Sequence, residues 1–392
     1  MFLCLLSKLN QNYLLQYSTP TTIEIMKVTI AQSDLLESLK VVARAVSTQN
    51  TLPVLGNILI KAEGKKVFFA ATNLEISITT SCEADIQNEG AITVPSKILT
   101  SYTSLLGKGN DVELKVSDGM TLEVNSKRSK TKIKGISSEE FPNIGKVESG
   151  TKLSISSDDF RDMVHKVAFS AQENASRPIL SGVCFISKKD KLLIAATDSY
   201  RLSEKSITLA SPVDEGQWVI PVRAVLEADR LAAQDENVEV VIAENQVSFK
   251  CGGTELVSRL IEGKFPDYHQ ILPKSHQTTV EVSRADFELA VRRVSIFAKE
   301  NNQHMKLEFL NDNTMTVSTD TTQIGEEKTT IPIKIEGGNT QIALNADYVL
   351  ALLGALGKEE QVKIELEGKL SPAVFKKEKA DDFIHLIMPL KM

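Results

Sequence analysis

Ser176-Arg177-Pro178-Ile179-Leu180-Ser181-Gly182, followed by Ala196-Thr197-Asp198-Ser199-Tyr200-Arg201-Leu202, is a pattern that this chain uses more than once. An earlier version reads Asn50-Thr51-Leu52-Pro53-Val54-Leu55-Gly56-Asn57 and then Ala71-Thr72-Asn73-Leu74-Glu75. A worn later version reads Met305-Lys306-Leu307-Glu308-Phe309 and then Ser318-Thr319-Asp320-Thr321. The pairs that begin at Thr72, Thr197 and Thr319 stand about 125 and about 122 residues apart. A fixed period marks tandem copies of one folding unit, and it governs how every other motif is read.

Other features keep the same period. Leu35, Leu39, Val42 and Val46 follow Ser33-Asp34; Phe160, Val164 and Val167 follow Ser157-Asp158; Phe287, Val291 and Val294 follow Ser283. Apolar residues at this spacing line one face of a helix, and a serine at the start can accept bonds from free helix N–H groups. A second helix recurs at Pro95-Ser96-Lys97-Ile98-Leu99, at Pro221-Val222-Arg223-Ala224-Val225-Leu226 and at Asn345-Ala346-Asp347-Tyr348-Val349-Leu350. Proline suits a helix start because its missing N–H costs nothing there. The remainder alternates like strands, as in Val112-Glu113-Leu114-Lys115-Val116 and Val362-Lys363-Ile364-Glu365-Leu366, with turn signals at Asp118-Gly119 and Asn311-Asp312-Asn313. Phe141-Pro142 and Phe265-Pro266 recur where one copy hands over to the next. The expected fold is α+β, with three tandem domains that each set two helices on antiparallel sheets. The expected bounds are 26–147, 148–274 and 275–392, after an appendage at 1–25.

The 392 residues give each third enough chain to bury its own core. A hydrophobic content of 42%, a charged content of 24% and a net charge of −6 suit a soluble globular chain without a basic coat. Cys4, Cys82, Cys184 and Cys251 form no CxxC or Cys/His pattern, so reduced thiols in a cytoplasmic protein are expected, with no disulfide or zinc. Residues 1–25 lack the charge and cleavage pattern of a signal peptide, and Met1 to Leu6 is too short to span a membrane. An upstream start, a tail or a docking peptide would each account for them.

Catalytic chemistry is thinly represented. His165, His269, His276, His304 and His385 sit near no second ligand at metal spacing, and no nucleotide or hydrolase motif occurs. No nucleophile, base and orienting group can be assembled around Thr197-Asp198, and its repetition points to a shared turn. Neither an enzyme nor a cofactor is expected. Basic residues recur on the helices: Lys40, Arg44, Arg161, Lys166, Arg292, Arg293 and Lys299 on the first set, with Lys97, Arg223 and Arg230 on the second. They are either solvated helix faces or one surface that holds a polyanion through its phosphates. The basic strand around Lys130, Thr131, Lys132 and Ile133 and the acidic Glu326-Glu327 could pair between two chains, head to tail. Ile179, Leu180, Leu202, Pro266, Ile271, Tyr348, Met388, Pro389 and Leu390 stand at strand ends and loops, as core or as an exposed groove.

Thr51-Leu52-Pro53-Val54-Leu55-Gly56-Asn57, Ala196-Thr197-Asp198-Ser199-Tyr200-Arg201-Leu202, Gly263-Lys264-Phe265-Pro266-Asp267-Tyr268 and Ile387-Met388-Pro389-Leu390 closely resemble the bacterial sliding-clamp family, the beta subunits of DNA polymerase III, from Met26 to Met392. The resemblance implies a homodimeric ring of six domains around double-stranded DNA, bound without sequence preference. Helices would line the hole, with Lys40, Arg44, Lys97, Arg161, Lys166, Arg223, Arg230, Arg292 and Arg293 facing DNA. It further implies a groove between the second and third domains for short linear peptides of the polymerase, the clamp loader and repair proteins. Carried over by motif, that groove comprises Arg177, Ile179, Leu180, Thr197, Ser199, Tyr200, Arg201, Leu202, Pro266, Gln270, Ile271, Tyr348, Leu370, Pro372, Met388, Pro389 and Leu390. Ser199 stands where the family often has glycine, and Gln270 where arginine is common. The seam between chains would use Lys130, Thr131, Lys132 and Ile133 against Ile296, Phe297, Glu326 and Glu327. Thr131 is less apolar than such a seam would favour, so a monomeric peptide-binding scaffold is the rival reading. No membrane contact is implied.

Overall fold

A computed structural model describes residues 26–47, 52–117, 120–172, 177–233, 235–321, 323–357, 360–377 and 382–391. The appendage 1–25, the Asp118-Gly119 turn signal, Asn50-Thr51 and Ser176 lie outside the described residues. The chain divides into two compact units, one reaching Asn73 and resuming at Ile78–Asn143, the other made of Leu74–Ser77 and the chain from Ile144.

The first unit runs β1 (Lys27–Ala31), α1 (Gln32–Val42), β2 (Asn57–Glu63), β3 (Lys66–Thr72), β4 (Ile76–Glu83), β5 (Asp85–Asn88), β6 (Gly90–Pro95), α2 (Ser96–Ser104), β7 (Asp111–Ser117), β8 (Thr121–Ser126) and β9 (Ser129–Lys134). One sheet has the order β5-β1-β7-β8-β9, and a second places β4, β3, β2 and β6 side by side. Val28 and Ile30 of β1 and Leu35, Leu39 and Val42 of α1 are all buried, so alternation and helical spacing feed one core.

The second unit begins with β10 (Thr151–Ser156), α3 (Ser157–Val167), β11 (Gly182–Thr197), β12 (Arg201–Pro221), α4 (Val222–Ala232), β13 (Asn237–Ile242), β14 (Gln246–Cys251) and β15 (Thr254–Arg259). It continues with β16 (Thr278–Ser283), α5 (Arg284–Ala298), β17 (His304–Leu310), β18 (Thr314–Ser318), β19 (Lys328–Glu336), β20 (Thr340–Asn345), α6 (Ala346–Leu356), β21 (Gln361–Leu366), β22 (Ala373–Lys377) and β23 (Phe383–Ile387). Its largest sheet has ten strands in the order β11-β12-β23-β22-β21-β16-β19-β18-β17-β20. The β12–β23 pairing, from Arg201↔Ile387 to Lys205↔Phe383, joins the second repeat to the third. β19 changes partner midway, pairing with β18 up to Pro332 and with β16 from Ile333. Proline has no N–H to donate, which suits it to the point where one ladder ends.

The repeats share a hydrogen bond that spacing alone does not reveal. The first N–H of α1, α3 and α5 donates to the carbonyl of the residue just before β7, β13 and β21: Gln32 to Asn110 at 2.9 Å, Ser157 to Glu236 at 2.9 Å, Arg284 to Glu360 at 3.0 Å. Two helix starts depart from expectation beside this shared bond. Ser33 does not cap α1, whose N-cap is Ala31 with no side-chain bond. Ser156, one residue earlier than expected, caps α3 by accepting from the Asp159 N–H at 3.1 Å. Ser283 caps α5 as its position suggested. The α-helical part of the first helix also ends at Val42, before Val46, because residues 43–45 tighten into a 3-10 turn.

Candidate functional site

The site in the second unit is built on the turn between β11 and β12. Thr197 Oγ1 donates to the Arg201 carbonyl at 2.7 Å and accepts the Ser199 N–H at 3.1 Å. Asp198 Oδ1 accepts the N–H groups of Tyr200 and Arg201, both at 2.9 Å, and its Oδ2 accepts Arg201 Nε at 3.0 Å. Both side chains therefore hold their own turn, which leaves neither as an acid or base. Ser199 takes a φ of 81°, and Leu74, its counterpart in the first repeat, takes 75°. That left-handed conformation is strained for a residue with a Cβ and explains why glycine suits the position.

Held this way, Arg201 lies between the repeats. Its guanidinium carbon is 4.5 Å from the Tyr348 ring centroid and 5.5 Å from that of Phe169, a cation–π arrangement. The C-terminal strand closes beside it, since Met388 N–H donates to the Tyr200 carbonyl at 2.8 Å and Leu390 N–H to the Ala343 carbonyl at 2.8 Å. Ala373 pairs with Ile387, which sets Pro372 beside Met388. On the other side Ile179 and Leu272 pack on a cluster containing Leu202, Phe265, Tyr268 and Leu386.

The residues expected at a groove differ in exposure. Leu180 and Leu202 are 3% and 1% exposed, so they belong to the core. Tyr200, Ile271, Leu370 and Met388 are exposed, while Ile179, Arg201, Tyr348, Pro372, Pro389 and Leu390 are half-buried. Thr197 is buried in its turn; Arg177, Ser199, Pro266 and Gln270 are exposed. The Gln270 amide N–H donates to Asp267 at 2.8 Å.

Beneath these residues lie groups that motif reading passed over. His385 is fully buried, and burial, with some help from the Arg201 charge, lowers its pKa from 6.5 to about 3, so the ring is neutral. Its Nδ1 meets Ser203 Oγ at 2.7 Å, and Ser203 Oγ meets Ser170 Oγ at 2.7 Å. Its Nε2 has no hydrogen-bond partner among the described residues. A histidine between Phe383 and Ile387, on the inward face of an alternating strand, was the available signal. Lys205, 4% exposed at the side chain, is held by Asp382 and, at 3.5 Å, by Asp162.

The candidate cations differ sharply from one another. Lys40, Lys97, Arg223 and Arg293 are exposed and Arg44 is half-exposed, none of them in an ion pair among the described residues. Arg161 lies 3.6 Å from Asp229, Arg230 2.5 Å from Glu227 and Arg292 2.6 Å from Glu288. Lys166 departs from expectation: it is 5% exposed, its burial lowers its pKa, and Asp162 holds it at 2.5 Å. The inward face of α3 at this position keeps it from any surface contact. Ile133 departs likewise, being 5% exposed in its own core. Lys130 and Lys132 of β9 are exposed and reach Glu123 at 3.5 and 2.8 Å, and Thr131 is half-buried. Ile296 is 61% exposed; Phe297 and Glu327 are half-buried and Glu326 is exposed.

Three family models match the chain in order: the N-terminal domain of the DNA polymerase III beta subunit over residues 26–145, its central domain over 154–267 and its C-terminal domain over 269–391. The chain belongs to the DNA polymerase III beta-subunit family. Its relatives include a beta sliding clamp of Synechococcus elongatus, 30% identical across 94% of this chain and 100% of that protein. A Staphylococcus aureus beta sliding clamp is 25% identical with the same coverage. Among solved structures, the DNA polymerase sliding clamp of Bacillus subtilis matches with a TM-score of 0.90 at 26% identity, covering 94% of this chain and 99% of that one. The Caulobacter crescentus beta sliding clamp, with a polyethylene glycol at a putative beta-motif tethering region, matches at a TM-score of 0.89 and 26% identity, with the same coverage. The three successive domain matches correspond to the three repeats.

Proposed function

We propose that this chain is a DNA sliding clamp: a non-catalytic ring of two copies that encircles duplex DNA and tethers the replicative polymerase. The observation that carries the reading is a rule within the second unit. Each repeat lends the segment after its Thr-Asn or Thr-Asp turn to the last strand of the next repeat. Glu75 follows the Thr72-Asn73 turn, and its carbonyl accepts the Arg259 N–H at the end of β15, at 3.3 Å. Residues 201–205 follow the Thr197-Asp198 turn and pair with β23. After Thr319-Asp320 no strand forms before β19 among the described residues, and β9 is an edge strand. Applied once more, the rule joins β9 of one copy to the segment after Asp320 of another. Such a head-to-tail contact closes a ring when the rotation permits. Basic Lys130 and Lys132 would then meet acidic Glu326 and Glu327, with Ile296 and Phe297 covered.

A closed ring stays on DNA by topology, so weak phosphate contacts suffice and permit sliding. Lys40, Arg44, Lys97, Arg223 and Arg293 are the cations best placed to make them, with Arg161, Arg230 and Arg292 partly neutralised by their carboxylates. The groove around Tyr200, Arg201, Tyr348 and Met388 would seat apolar anchors of short peptides from the polymerase, clamp loader and repair proteins. We place the domain bounds at 26–147, 148–274 and 275–392, and the protein in the cytoplasm; no described helix is long and apolar enough to cross a membrane. The test is retention on circular DNA through a high-salt wash, before and after one cut of the circle. A clamp stays on circles and leaves linear ends. Equal loss from both would mean electrostatic attachment and would overturn the ring.

A further inference from the structure

We propose that the groove of the second unit is suited to apolar peptides flanked by carboxylates, because each segment that lines it carries an exposed cation. Arg177 precedes Ile179, Lys264 precedes Phe265-Pro266, Lys369 precedes Leu370, and Lys391 follows Leu390. None of the four is in an ion pair among the described residues. This rests on the groove reading above.

The contacts that build the groove bring these segments to one place. A Cβ on Gly263 would lie 3.5 Å from Ile179 Cδ1, which sets Lys264 beside the Ile179 wall. The Ala373↔Ile387 register sets Pro372 beside Met388, and Lys369 and Leu370 lie in the turn that leads into Pro372. Leu390 is tied to Ala343 near the start of α6, with Lys391 next along the chain. The anions nearby are fewer or already engaged. Asp198 holds Arg201, Asp267 accepts the Gln270 amide, and Glu262 lines a different cavity, shared with Trp218 and Arg259. Three carboxylates oppose the four cations: Asp347, exposed in the first turn of α6; Asp320, exposed and 3.7 Å from His304, whose other ring nitrogen meets the Lys391 carbonyl; and Glu367, half-buried two residues before Lys369. The rim is thus cationic on a chain whose net charge is −6. Neighbouring positive charge around an apolar patch raises the encounter rate of acidic partners and disfavours basic ones.

Exposed charge pairs are individually weak, so two or three of them shift affinity by roughly fivefold to tenfold near physiological salt, and by less as salt screens them. The probe is a displayed library of random nine-residue peptides, selected on the intact protein at low salt and sequenced. A parallel selection uses the Arg177→Glu/Lys369→Glu variant, and a third uses Met388→Arg, which puts a charge in place of an exposed apolar side chain of the groove. Winners with an apolar core and Asp or Glu on its flanks, lost on the third protein and shifted toward Lys or Arg flanks on the second, support the proposal. Apolar winners lost on Met388→Arg but without acidic enrichment would overturn it and leave the groove standing. Winners indifferent to Met388→Arg would remove the groove reading and this proposal together.

Discussion

His385 offers the sharpest test of the junction between the second and third repeats. Its folded pKa is about 3 against an ordinary 6.5, because burial excludes the charged ring. Between these two values the unfolded chain takes up a proton that the folded chain refuses, so stability falls as pH falls through 6.5 and levels off near 3. The slope is about 1.4 kcal/mol per pH unit, so at pH 5 the junction is weaker by about 2 kcal/mol than at pH 7.5. That is a substantial part of the roughly 5–15 kcal/mol that holds a domain folded. His385→Asn keeps a polar atom where Nδ1 meets Ser203 and removes both the titration and the unpartnered Nε2. Urea unfolding of both proteins at pH 7.5 and 5 isolates the effect as a difference of differences, which cancels the carboxylates common to both. Wild type should lose about 2 kcal/mol more than the variant. Equal losses would show that the ring is protonated in the fold, or solvated, and would refute the buried neutral histidine.

Ser199→Gly relieves a residue held at φ 81° and should stabilise the turn by about 1 kcal/mol in urea titration, less the added freedom of glycine in the unfolded chain. Asp162→Ala removes the carboxylate shared by two buried ammonium groups, Lys166 and Lys205, and should cost about 3 kcal/mol, whereas Lys205→Met should stay within about 1 kcal/mol in the same titration. Arg223→Ala and Arg293→Ala should each lower the slope of log affinity for short linear DNA against log salt by about 0.9, while Lys166→Met leaves it unchanged. β10 is an edge strand, although its counterparts β1 and β16 are paired on both sides. Pro212 lies in the segment opposite β10 and has no N–H to offer, so amides of β10 should exchange faster with deuterated water than those of β1 or β16.

Much of this molecule was readable from the chain alone. The period through Thr72, Thr197 and Thr319 marked three copies, because a repeated fold needs its turns at the same places. The buried stripes of α1, α3 and α5 fell where apolar spacing put them, because helix periodicity depends only on local geometry. The family could be recognised from the same motifs. Caps were less legible: a backbone carbonyl from Asn110, far along the chain, did for α1 what a serine was expected to do.

What the sequence could not settle was the environment of each polar side chain. Lys40 and Lys166 look alike as helix lysines, yet one is exposed and the other is buried against Asp162. Leu180 and Ile271 look alike as candidate groove residues, yet one is buried and the other is exposed. Nothing local in Lys205, Asp382 or His385 announces that they meet across the β12–β23 ladder, because that pairing joins residues distant in the chain. The sequence by itself determined the repeat, its elements and its family, all of which depend on short-range pattern. Only the tertiary structure decided which charges are free, which are neutralised and which apolar residues face outward, because burial and Coulomb partners are properties of packing between segments far apart in sequence.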